Sequence, residues 1–344
     1  MHNILNTLYV MTPQAYAHLE NATVRIDVER EKRLQVPLHH LAGLVTFGNV
    51  MVSPALMHRL ADEGKSLVLL DEHGRFKARL EGPVSGNILL RQAQHKAAGD
   101  PVAALEHARA CVAGKLKNSR VNLQRGAREA AAAEEGAQLS RAADHLAASL
   151  RAAAAATTLD ELRGVEGDAA RGYFAALNLI IKPPMREHFA LDGRSRRPPL
   201  DRFNALISFL YAMLMNDCRS ALEVVGLDPQ LGFLHAVRPG RAALALDMQE
   251  EFRSILADRL ALTLINRGQV TPADFDLRPG GAVMLSENGR RAVVTAWQER
   301  KQEEITHPLL DSKLPIGLLP LIQARFMARA IRGEMEGYLP YIAK

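Results

Sequence analysis

Apolar and polar positions alternate through the first eighty residues. In ATVRIDVER, Val24, Ile26 and Val28 are separated by Arg25 and Asp27, the period of a strand with one buried face. Leu34, Val36 and Leu38 repeat it, LVTFG follows, and SLVLLDEHGRFKARLEG reads as two strands joined at Asp71–Gly74. Between these runs, Ser53-Pro54 couples an N-cap residue to proline at the first helical position and opens one helix to about Glu63. Several short strands at short spacing predict a small β domain that closes near Gly82-Pro83.

The period then changes. Asn87 to Arg128 predicts two helices broken at Gly99-Asp100-Pro101, and Glu129 to Ala156 is rich enough in alanine to be helical without a readable face. Leu159–Ile181, Asp201–Val225, Asp247–Asn266 and Ile316–Glu336 read as further helices, and Gly280 to Gln298 as a β-hairpin turning at Glu287-Asn288-Gly289. No internal repeat is visible. The fold class is α+β: a β-rich N-terminal domain over residues 1–83, then a larger α-helical domain over 84–344.

Composition narrows this picture. With 48% apolar residues the 344-residue chain can fill two cores. No run approaches the roughly 18–20 apolar residues of a membrane span, and MHNILNTLYVMTPQ lacks the regions of a signal peptide. Cys111 and Cys218 show no metal-ligand spacing and read as small buried side chains in a reducing, cytoplasmic setting. The net charge of +5 is modest, but its placement is uneven. Lys115 to Arg128 holds five basic residues and no acid; Lys182 to Arg202 holds six against three acids. Such clusters suit a phosphate backbone, and equally a solvated helix face.

The chemistry concentrates in three stretches. In GFLHAVRPGRAALALDMQEEFR, His235, Arg238 and Arg241 precede a helix on which Asp247, Glu250, Glu251, Ser254 and Asp258 share one stripe. By itself this is an amphipathic helix with acids toward water, and a lone histidine beside Phe233 and Leu234 is commonly a core residue. In LRGVEGDAARGYF, Glu166 lies between Gly164 and Gly167, and Ala169, Ala170 and Gly172 follow; small residues there predict a close-packed neighbour with the carboxylate left at the seam, and Tyr173 on the same face. Asp228 before Pro229 reads as a helix cap. Should Glu166, His235 and an acid of the Asp247 helix converge, two carboxylates and one imidazole would suit Mg²⁺ or Mn²⁺, and the absence of thiolates argues against structural zinc. Such an ion polarises a phosphoryl oxygen and orients an attacking hydroxyl.

EGDAARGYF at Glu166–Phe174, RRPPLDRFNALISFLYAML at Arg196–Leu214, GLDPQLGFLH at Gly226–His235, LALDMQEEFR at Leu244–Arg253 and QARFMARAIRGE at Gln323–Glu334 occur in one order, with Tyr338-Leu339-Pro340 beyond. Together they resemble the CRISPR-associated adaptation integrase (Cas-one) family, and the N-terminal wording resembles its type I-C branch. The resemblance implies a homodimer of subunits, each a small N-terminal β-sandwich followed by a larger all-α catalytic domain. It implies a metal-dependent DNA endonuclease and integrase that works with a small Cas-two partner. The 3′-OH of a captured DNA fragment then attacks a phosphodiester at the edge of the CRISPR repeat. Carried onto this sequence, the metal ligands are Glu166, His235 and Glu250, with Asp247 a supporting acid and Glu251 the alternative third ligand. Arg194, Arg196, Arg197, Arg238 and Arg241 form the expected DNA path. Two other readings stay open on the residues alone: a metal-dependent nuclease of branched or single-stranded DNA in repair, and a DNA-capturing scaffold without chemistry.

Overall fold

The computed structural model describes residues 6–72, 74, 76–80, 82 and 88–343. His73 of the expected turn, Pro83 at the expected boundary and Asn87 at the expected helix start lie outside them. The chain divides into two compact units, Met1–Ser85 and Gly86–Lys344.

In the first unit the alternating runs become β1 (Asn6–Val10), β2 (Tyr16–Glu20), β3 (Thr23–Val28), β4 (Glu31–Pro37), β5 (Leu41–Phe47), β6 (Met51–Val52), β7 (Ser66–Leu70) and β8 (Phe76–Leu80), with helix α1 (Pro54–Asp62) between β6 and β7. They form two four-stranded sheets, ordered β1-β5-β7-β8 and β4-β3-β2-β6. One apolar core draws Val10, Leu41, Leu44 and Leu67 from the first sheet, Ala17, Val24 and Ile26 from the second, and Leu56 and Leu60 from α1. A core fed by the inner faces of two sheets is a sandwich. The Ser53 hydroxyl accepts from the Leu56 amide, so α1 begins at the Ser-Pro pair.

The second unit is mostly helical. It comprises α2 (Ile88–Gly99), α3 (Pro101–Glu129), α4 (Ala133–Ala155), α5 (Leu159–Leu177), α6 (Pro183–Phe189), α7 (Arg202–Val225), α8 (Ala243–Phe252), a π-helical segment (Arg253–Asp258) and α9 (Arg259–Asn266). Two short ribbons follow, β9 (Phe275–Leu277) on β10 (Val283–Leu285) and, beyond α10 (Glu287–Gln302), β11 (Glu304–His307) on β12 (Ser312–Pro315); α11 (Leu319–Ile331) comes next. These ribbons make the unit helix-rich rather than all-α. In α4 the face hidden by alanine composition is a seam of Leu139, Ala143, Leu146, Ser149 and Ala153, all buried.

Three local expectations are corrected. Glu287-Asn288-Gly289 is the first turn of α10: the Ser286 hydroxyl accepts from the Gly289 amide and caps the helix, while the hairpin turns earlier, where Arg278 and Ala282 bond. An Asn-Gly pair suits a hairpin only when no capping serine stands before it. Asp228 caps no helix; its Oδ1 accepts from the Gln230 amide in a local turn, and the Gln94 side chain of α2 bonds the Asp228 backbone through both its amide and its carbonyl. The helix expected at Asp247 starts at Ala243 and is interrupted by the π segment, a feature frequent at functional sites. Replacing the Ser286 cap by alanine should lower stability by about 1 kcal/mol in urea unfolding; no change would mean the cap contributes nothing.

Candidate functional site

The Asp247 carboxylate is fully buried and collects the loop before α8. Its Oδ2 accepts from the amides of Phe233 (2.6 Å) and Leu234 (3.0 Å); its Oδ1 accepts from the His235 amide (2.9 Å) and meets His235 Nδ1 at 2.6 Å. Gly232 makes this wrap feasible. A Cβ there would stand 2.6 Å from the Ala243 carbonyl carbon and 2.6 Å from Asp247 Oδ2, so the loop comes this close to α8 only with glycine. On the other side, Arg163 of α5 donates from Nε to the Leu234 carbonyl at 2.8 Å, three residues before Glu166. The stacked ring of His107 supports Phe233 at a centroid distance of 4.5 Å. With Nδ1 against Asp247, Nε2 is the nitrogen turned toward Glu250, 3.7 Å from its Oε1.

Glu250 is 2% exposed. Burial alone would raise its pKa, but Arg253 (2.7 Å to Oε1), Lys115 (2.7 Å to Oε2) and His235 outweigh that and hold it down to about 2. The same Lys115 ammonium is in contact with Glu166 Oε1, so three helices, α3, α5 and α8, meet at one cation between two carboxylates. Glu250 Oε2 is buried without an aligned hydrogen-bond donor. Among the described residues no three carboxylate, imidazole or thiol groups close at ligand distance around one point. The gap between Glu166 and Glu250 is spanned by Lys115. Glu166, His235 and Glu250 thus face one locus, and Asp247 orients the imidazole from behind.

The acidic stripe does not face water: Asp247, Glu250, Glu251 and Asp258 are all 2% exposed or less. Glu251 points away from the other ligand candidates and accepts from the Tyr338 hydroxyl and the Tyr341 amide, each at 2.5 Å. Burial raises its pKa to about 8, against the pull of those bonds. Asp258 accepts from the hydroxyls of Tyr211 (2.7 Å) and Tyr173 (2.9 Å), and burial still lifts it to about 6. The close packing expected around Glu166 holds at Ala169 and Tyr173, both buried, but not at the flanking glycines: Gly164 and Gly167 face open space, and Gly172 meets His145 at 3.3 Å.

The arginines separate into two groups. Arg194 turns inward, bonding Asn204 Oδ1 (2.7 Å) and Ser208 Oγ (3.0 Å) and lying over the rings of Phe174 and Tyr211. Both its Nη atoms are engaged within the fold, which sets it apart from the exposed Arg196 and Arg197. Arg196, Arg197 and Arg238 are exposed; Arg241 is half-buried, near the Ala236 carbonyl. Within the basic run on α3, Lys117, Arg125 and Arg128 are exposed, whereas Lys115 is 9% exposed and belongs to the centre. Sequence reading missed Arg163 and Arg253, and placed Lys115 only in a basic run suited to phosphate. Arg253 follows Glu250 by three residues and Arg163 precedes Glu166 by three, spacings that share a helix face; nothing local marks Lys115.

Residues 8–299 match the profile of the family described as CRISPR associated protein Cas1. The chain is 53% identical over 342 residues to a CRISPR-associated endonuclease Cas1 of Moorella thermoacetica, covering 99% of each. Two solved structures share the fold. A casposase bound to integration product superposes with a TM-score of 0.84 at 20% identity, over 98% of this chain and 94% of that one. A chain of a Cas6-RT-Cas1–Cas2 complex does so with a TM-score of 0.81 at 23% identity, over 98% of this chain and 36% of that one.

A carboxyl whose pKa is raised on folding keeps its proton more tightly in the native state. Its contribution is therefore full below the unfolded value near 3.8 and is lost as pH climbs through about 6, at about 1.4 kcal/mol per unit. Asp258→Asn should remove this slope. In urea unfolding between pH 4 and 7, the variant should gain on wild type as pH rises; a pH-independent difference would refute the assignment.

Proposed function

This chain belongs to the Cas1 family of CRISPR-associated endonucleases, and on that premise we propose that Glu166, His235 and Glu250 form its divalent-metal centre for DNA cleavage and integration. The observation that carries the reading is that Lys115 draws the carboxylates of Glu166, from α5, and Glu250, from α8, to one cation, while the oriented imidazole of the GFLH loop faces the other Glu250 oxygen. The donor set fits Mg²⁺ or Mn²⁺: hard carboxylate oxygens, one imidazole nitrogen and no thiolate. Bound there, such an ion supplies Lewis acidity toward a phosphoryl oxygen.

The chain's own groups do the remainder. Asp247 fixes the imidazole through Nδ1 so that Nε2 is presented to the centre, the carboxylate–histidine arrangement common behind metal ligands. Arg253 and Lys115 hold the buried Glu250 carboxyl well below its ordinary pKa. Exposed Arg196, Arg197 and Arg238 offer phosphate contacts along the DNA, as does half-buried Arg241 next to Arg238. In strand transfer a DNA 3′-OH attacks a phosphodiester of the CRISPR repeat. The phosphorus–oxygen bond to the incoming 3′ oxygen forms, that to the outgoing 3′ oxygen breaks, and the attacking hydroxyl's proton is released. One diester replaces another, so no external energy source is required.

Support for DNA and a Cas2-type partner comes from the neighbours of like fold, the casposase bound to integration product and the Cas1–Cas2 assembly. The homodimer and the cytoplasmic location belong to the same proposal; among the described residues no helix is long and apolar enough to cross a membrane.

A labelled branched DNA that mimics a half-integrated product tests the reading. With Mg²⁺ or Mn²⁺ the protein should reseal the nicked strand and release the flap, and EDTA should stop it. Glu166→Ala and His235→Ala should each lose at least ~100-fold in rate while still binding the DNA. Cutting without rejoining would favour a repair nuclease, and full activity in Glu166→Ala would sink the assigned centre. Arg196→Ala and Arg197→Ala should each weaken DNA binding and reduce the slope of log affinity against log salt by about one. An unchanged slope would remove them from the DNA path.

A further inference from the structure

Three neighbouring positions on α8 face three different structures. Asp247 holds the GFLH loop, Glu250 faces the centre, and Glu251 faces the segment from Tyr338 to Ala343. That segment is tied down at unusual density. Glu251, fully buried, accepts from the Tyr338 hydroxyl and the Tyr341 amide. Gln323 of α11 donates to the Tyr338 hydroxyl and the Leu339 carbonyl, both at 3.0 Å. Asn118 of α3 donates to the carbonyls of Glu251 (2.7 Å) and Tyr341 (2.8 Å) and accepts from the Ala343 amide (2.8 Å). At Gly114 a Cβ would stand 2.8 Å from Pro340 Cβ and 3.0 Å from Glu251 Cβ, so α3, α8 and the segment touch at one point.

The residues gripped are direct neighbours of the centre: Gly114 precedes Lys115, and Glu251 follows Glu250. Successive side chains on a helix diverge by ~100°, so holding Asp247 on one side and Glu251 on another leaves α8 no freedom to rotate. Moving the buried Glu251 carboxyl away from its donors would leave a buried polar group unpaired, which is costly. We propose that Tyr338–Ala343 is a positioning strap for the metal centre, setting the rotation of α8 and the seating of α3 and thereby the aim of Glu250 and the approach of Lys115. The role rests on the reading that Glu166, His235 and Glu250 hold a divalent cation.

The test is Mn²⁺ binding by the full chain, followed as loss of the free-ion EPR signal, beside DNA binding and circular dichroism. Tyr338→Phe deletes the hydroxyl that Glu251 accepts, and Gly114→Ala wedges α3 from Pro340 and Glu251. Both should weaken Mn²⁺ about 10-fold, within the range seen when groups behind metal ligands are removed, with DNA affinity retained. Leu277→Ala, on β9 and outside the strap at a residue 77% exposed, should bind Mn²⁺ as wild type does. Should Gly114→Ala not fold, the conservative Tyr338→Phe decides. Folded strap variants with wild-type Mn²⁺ affinity, alongside binding that Glu166→Ala abolishes, would overturn the strap alone. Mn²⁺ binding unmoved by Glu166→Ala would overturn the centre, and the strap with it.

Discussion

Four carboxyl groups, Asp247, Glu250, Glu251 and Asp258, are withdrawn from water along the continuous run from α8 through the π segment, and the packing of the helical unit follows from how each is answered. An unpaired buried carboxylate costs several kcal/mol, so none can be left without a partner. Asp247 is answered by three loop amides and an imidazole, and Glu250 by Lys115 and Arg253. Glu251 is answered by Tyr338 and the Tyr341 amide, Asp258 by two tyrosine hydroxyls. Each answer draws in a different segment. The GFLH loop, α3, α5, α7 and the residues around Tyr338 therefore meet on this one run.

The answers differ in kind. Of the three acids on this run whose pKa is shifted, Glu250 alone is in direct contact with full positive charges, and its pKa falls to about 2. Glu251 and Asp258 receive only neutral hydrogen-bond donors in direct contact, and burial prevails, raising them to about 8 and about 6. An acid that stays ionised while buried suits a metal ligand; acids that keep their protons readily suit architecture. The ionised acid is also the one that faces Glu166, through Lys115, and His235.

Much of this was readable in the chain. Period-two alternation gave the strands, because one face of each sheet is buried against the other. Ser53-Pro54 and Gly99-Asp100-Pro101 gave helix starts, because capping acts within a turn. The failures have physical causes as well. The turn at Glu287-Asn288-Gly289 was misread because the serine before it competes for the same backbone. The acids of α8 seemed solvated because their amphipathic pattern is unchanged when the polar face is buried against Lys115, Arg253 and Tyr338. Gly164 and Gly167 suggested a packed seam, yet open space lies where their side chains would be.

By itself the sequence determined the two-part organisation, the helix and strand periods, and the short motifs that contain Glu166, His235, Asp247 and Glu250. Those features are set by interactions within a few residues of one another. Tertiary structure alone decided that Lys115, 51 residues before Glu166, spans the two carboxylates, that Glu250 meets Lys115 while Glu251 meets Tyr338 and Tyr341, and that Arg194 turns inward. Helical spacing narrows which way a side chain points, but which partner stands there depends on long-range packing. A buried charge is settled by whatever group the fold brings within about 3 Å of it.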